Sequence, residues 1–92
     1  MSKVKRIILD VLKPHHPSAL DFAKAIADQE NQCNVKLTVE EVDEKTESII
    51  LDIDGEDIDF DAIVDTIKNL GGSLHSIDRV EVEGTKALPK QG

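Results

Sequence analysis

Ninety-two residues are enough for one domain but not two, because a single core usually takes roughly 100 to 150 residues. The chain sets 11 Lys and Arg against 19 Asp and Glu, a formal charge of −8, and its 39% apolar residues are enough to build a core. Such acidity excludes binding to nucleic acid or an anionic membrane, which depends on Lys and Arg, and a lone Cys33 excludes an internal disulfide or a four-thiolate metal site.

Residues 4–13 form an apolar, β-branched run that Pro14 closes, and they are predicted to be the first strand. The apolar stretch Ile7-Ile8-Leu9 stops at Asp10, too short for a signal-peptide core or a membrane span, so a cytoplasmic protein is expected. Ser18, with Asp21 three residues later, resembles a weak capping box. Ala19, Phe22, Ala23, Ile26 and Ala27 then recur at helical spacing, predicting a helix from Ser18 to Glu30. Val35, Leu37 and Val39 alternate with polar residues, Val42 falls out of phase, and Ile49, Leu51 and Ile53 alternate again. Residues 34–54 should therefore form a hairpin with a bulge or strand end near Glu41. A second helix should begin near Asp57 or Asp59, bury Phe60, Ile63, Val64, Ile67 and Leu70, and stop at Gly71-Gly72. A last strand over Leu74 to Val82 should leave a frayed tail at residues 85–92 beyond a domain of residues 1–84. The order β-α-β-β-α-β predicts an α+β ferredoxin-like sandwich, a four-stranded antiparallel sheet of order 4-1-3-2 with two helices on one face.

The segments Leu9-Asp10-Val11-Leu12-Lys13-Pro14-His15, Pro17-Ser18 and Leu70-Gly71-Gly72-Ser73-Leu74-His75-Ser76-Ile77-Asp78 together resemble the archaeal domain of unknown function 211 family over essentially the whole chain. The resemblance implies an archaeal cytoplasmic protein with a ferredoxin-like fold that assembles into homo-oligomeric rings. It implies no activity.

Asp10 is the sharpest anomaly. If Ile7, Leu9 and Val11 face the helices, Asp10 lies on the open sheet face beside Ile8 and Leu12, where a carboxylate needs a partner. A hydrogen bond or ion pair would supply one, with the residues opposite coming from near His75, Ser76 and Ile77. A bound ligand or metal is the alternative. His15, His16 and His75 fall at one end of the sheet, and adjacent histidines lack the spacing of recognisable zinc or nickel sites, so capping and surface roles compete with ligation. Asp10, His15, His75 and Asp78 are the candidate ligand-binding residues. No catalytic residue is assigned, because no nucleophile or second catalytic carboxylate is placed by the sequence.

Residues 34–61 hold 11 of the 19 acids and only Lys36 and Lys45 as bases, so this third of the chain carries −9. Asp54, Glu56 and Asp57 are the candidate ligands for calcium or magnesium, although Gly55 stands too early for an EF-hand and no bidentate Glu follows. Acids at a helix start also have a plain role in opposing the positive end of its dipole, and pairing between subunits with Lys3, Lys5 or Arg6 is a third reading.

Other activities known on this topology lack their residues here. An RNA-recognition sheet needs aromatics where Asp10 and aliphatics stand. A copper chaperone needs two Cys after the first strand, and an anion-cradling loop is opposed by Pro14 and Pro17. The expectation is a non-enzymatic homo-oligomer that binds a divalent cation or small ligand in a regulatory capacity. The alternative is a small enzyme whose site assembles between subunits.

Overall fold

The computed structural model describes residues 2–29 and 32–84; the expected C-terminal tail over residues 85–92 and the end of the first helix at Glu30 lie outside them. The elements follow the predicted order as β1 (Ser2–Pro14), α1 (Ala19–Gln29), β2 (Cys33–Val42), β3 (Thr46–Gly55), α2 (Phe60–Asn69) and β4 (Ser73–Gly84). They build one antiparallel sheet of order β2-β3-β1-β4, the predicted arrangement read from its other edge.

Alternation along the two central strands decides which face is dry. Ile7, Leu9 and Val11 of β1 and Ile49, Leu51 and Ile53 of β3 are fully buried against Phe22 and Ile26 of α1 and Ile63 and Ile67 of α2. Burying each such side chain contributes about 1.5–3 kcal/mol, so this layer carries the fold. The opposite parity of β1 puts Ile8, Asp10 and Leu12 on the open face.

Both helix starts follow from local chemistry. The Ser18 hydroxyl accepts a bond from the Asp21 amide at 3.2 Å, and the Asp59 carboxylate accepts one from the Ala62 amide at 3.1 Å, each satisfying an amide that the helix leaves open. Helix α2 ends with the Gly71 amide donating to the Lys68 carbonyl and the Gly72 amide to the Ile67 carbonyl, both at 2.9 Å. That closure needs a left-handed residue, and Gly71 supplies it with φ +86°.

The edge strands are irregular. The register between β2 and β3 shifts between Val39 and Glu41, at the anticipated bulge. Against β1, strand β4 carries an extra residue twice, at His75 and at Asp78, while Lys5 is the extra residue on β1. Bulges of this kind bend a strand and re-aim its side chains.

Candidate functional site

On the open face, β1, β3 and β4 together form a groove of about 400 Å³ lined by Asp10, Leu12, Ser48, Ser73, Leu74 and His75. Asp10 pairs with Ile50 on one side and Ser76 on the other, as the strand arrangement anticipated. The bulge at His75 sets two β4 residues, His75 and Ser76, against the single Asp10, and in this way brings the imidazole to the groove.

The expected structural partner for Asp10 is not there. Among the described residues its carboxylate makes no hydrogen bond or ion pair. The cross-strand hydroxyl that could serve it, Ser76 Oγ, donates instead to Asp78 at 2.7 Å. Asp78 is thus held on its own strand, away from the groove lining.

His15 also stands apart from the groove, in a network at the end of the sheet that sequence reasoning missed. Its centre is Lys13, the next core-facing residue after Val11 and fully buried. The ammonium donates to the Pro14 and Pro17 carbonyls at 2.6 Å each, lies 3.2 Å from Glu47 Oε1, and sits 5.9 Å above the Phe22 ring. Lys13 and Glu47 are direct partners across β1 and β3. His15 Nδ1 lies 3.0 Å from Glu47 Oε2 and Nε2 lies 2.9 Å from the Glu44 carbonyl. Both ring nitrogens face acceptors, so only the imidazolium satisfies both. The hydrogen bond to Glu47, helped by the Glu44 carbonyl, accordingly raises the His15 pKa, and the bonds from His15 and Lys13 depress that of Glu47. This network was partly legible, since alternation from Ile7 through Val11 places Lys13 on the core face. Its partner Glu47 depends on strand register, which the sequence leaves open.

At the other end of the sheet part of the acidic segment is paired within the chain. Arg6 holds Asp52 through two bonds of 2.8 and 2.7 Å and reaches Glu81 at 3.3 Å, while Arg79 reaches Glu81 at 2.9 Å. Arg6 depresses the Asp52 pKa, and its own is raised in return. Of the candidate metal ligands, Glu56 is bound by Lys5 at 2.7 Å, which lowers its pKa, and Asp54 accepts from Asn34 at 3.1 Å with Lys36 3.9 Å away. Asp57 is exposed at the following turn. Among the described residues no three His, Cys, Asp or Glu side chains form a group able to hold a metal ion, and none of the helices is long and apolar enough to cross a membrane.

The architecture and the segments at Asp10, Gly71 and His75 define a small ferredoxin-like protein of an archaeal class without assigned chemistry. A family model described as "Uncharacterized ArCR", that of domain of unknown function 211, matches residues 5–91, and the chain belongs to this family. It is 43% identical over 88 residues to the uncharacterized protein MJ0319 of Methanocaldococcus jannaschii, an alignment covering 96% of this chain and 90% of that protein.

Proposed function

We propose that the chain is a cytoplasmic, non-enzymatic protein that works as a closed homo-oligomer. The observation that carries this reading is the apolar surface left on both edges of the sheet. On β4, Ile77, Val80 and Val82 are 49%, 57% and 56% exposed. They pair with Leu9, Ile7 and Val4, so they lie on the helix side of the sheet, beyond the cover the helices provide. On the opposite edge, Val39 and Val42 of β2 are also exposed. Contiguous apolar surface of this kind on a small protein marks an interaction site. Two different apolar edges favour head-to-tail contacts, which close into rings when the rotation permits.

Binding rather than turnover suits the polar groups as well. Lys13, His15 and Glu47, the residues with the most catalytic potential, are engaged with one another and with backbone carbonyls. The test is the mass in solution by light scattering. The native chain is expected at a multiple of three or more of 10.1 kDa, and Val80→Glu should shift the population towards the single chain. A native monomer or dimer at micromolar concentration would overturn the ring.

A further inference from the structure

We propose that the groove around Asp10 binds a small primary ammonium compound carried on a short aliphatic chain. The inference concerns a ligand of the open face and does not depend on how the edges assemble.

The argument begins with an unbalanced charge. Asp10 is half-buried in the central strand, with Ile8 and Leu12 on its own face and Ile50 across on β3. A carboxylate among aliphatic side chains is costly without a partner, and the hydroxyl of its directly paired residue, Ser76, is spent on Asp78. The cations of this face among the described residues are also committed. Arg6 serves Asp52 and Glu81, Arg79 serves Glu81, and Lys36 lies beside Asp54. Among the described residues Asp10 therefore faces the groove as an unmet acceptor, in a chain whose net charge of −8 draws cations towards it.

The rest of the lining narrows the class of cation. Calcium takes six to eight oxygens, whereas this groove offers one carboxylate and the hydroxyls of Ser48 and Ser73. Leu12, with Ile8 and Ile50 on the same face, gives an aliphatic wall, so the cation should carry a hydrocarbon body. Ser48, Ser73 and His75 can hydrogen-bond the remaining ammonium protons or a second polar group. A volume of about 400 Å³ falls at the small end of the usual range of ligand sites, which suits a metabolite rather than a peptide.

Saturation-transfer NMR on the full chain, whatever its assembly state, would test this with n-pentylammonium, 1-pentanol and pentanoate at matched ionic strength. Saturation is expected for the ammonium compound alone. Asp10→Asn keeps the shape of the side chain and should weaken binding at least about tenfold, since hydrogen bonds to a charged group contribute that much. Leu12→Lys, at a position 40% exposed, supplies a tethered ammonium beside Asp10 and should abolish the response while leaving Asp10 intact. Comparable saturation of pentanol or pentanoate, unchanged affinity in Asp10→Asn, or no response from any of the three compounds would overturn the proposal.

Discussion

Replacing Lys13 with Met isolates the contribution of a buried ammonium, because Met keeps the length and apolar body of the side chain and removes only its charge and donors. The site offers this ammonium two short carbonyl contacts of 2.6 Å, from Pro14 and Pro17, and Glu47 at 3.2 Å. Hydrogen bonds to a charged group contribute about 1.5–3 kcal/mol each. Against them stands the desolvation of a fully buried Lys, which the variant no longer incurs. Glu47 also retains His15 as a partner, so it is not abandoned. The net loss expected for Lys13→Met is about 2–4 kcal/mol, or roughly 10–20 °C in melting temperature for a chain of this size. Urea unfolding at fixed protein concentration measures it, since assembly would otherwise shift the midpoint. A loss under about 1 kcal/mol would mean that water serves the carbonyls as well as the ammonium does, and the account of this cluster would be refuted.

Two further outcomes follow from other contacts. His15 has a folded pKa raised by Glu47 above its ordinary value of about 6.5; its contribution is complete below that value and disappears as pH rises through the raised one. Native stability should therefore decline as pH rises above about 6.5, with a shallower slope in His15→Gln, and identical slopes in the two proteins would refute the assignment. Gly71→Ala forces a side chain into a left-handed conformation with its Cβ 3.3 Å from Pro14 Cγ, so unfolding free energy should fall by about 1–2 kcal/mol, whereas an unchanged urea midpoint would show that the α2 terminus relaxes freely.

The layers were readable because alternation and helical spacing coincide with burial along β1, β3, α1 and α2. The ends were less so. β1 starts at Ser2 and β4 extends to Gly84 because these residues pair with each other, a long-range match invisible in either segment alone. At the groove, Asp10 declared itself as a charge out of place, and the strand order brings the segment around His75 opposite it, whereas the bulge that sets both His75 and Ser76 against Asp10 does not show in the sequence. The absence of a partner among the described residues depends instead on Ser76 turning to Asp78, a choice between two acceptors that no pattern in the chain announces. The same limit hid the fate of two acids of the acidic segment, Glu56 and Asp52, which are met by Lys5 and Arg6 from β1.

The extra residues at His75 and Asp78 also restrict how β4 can meet another molecule. An uninterrupted outer strand offers a regular ladder of amides and carbonyls to any extended chain, and addition of strand upon strand without end is the hazard it carries. Two departures from regular spacing in the first half of this 12-residue strand interrupt that ladder between Ser73 and Asp78. In the proposed assembly, a neighbour resting on Ile77, Val80 and Val82 would meet side chains before a regular ladder, which favours a contact that closes on itself over one that extends the sheet.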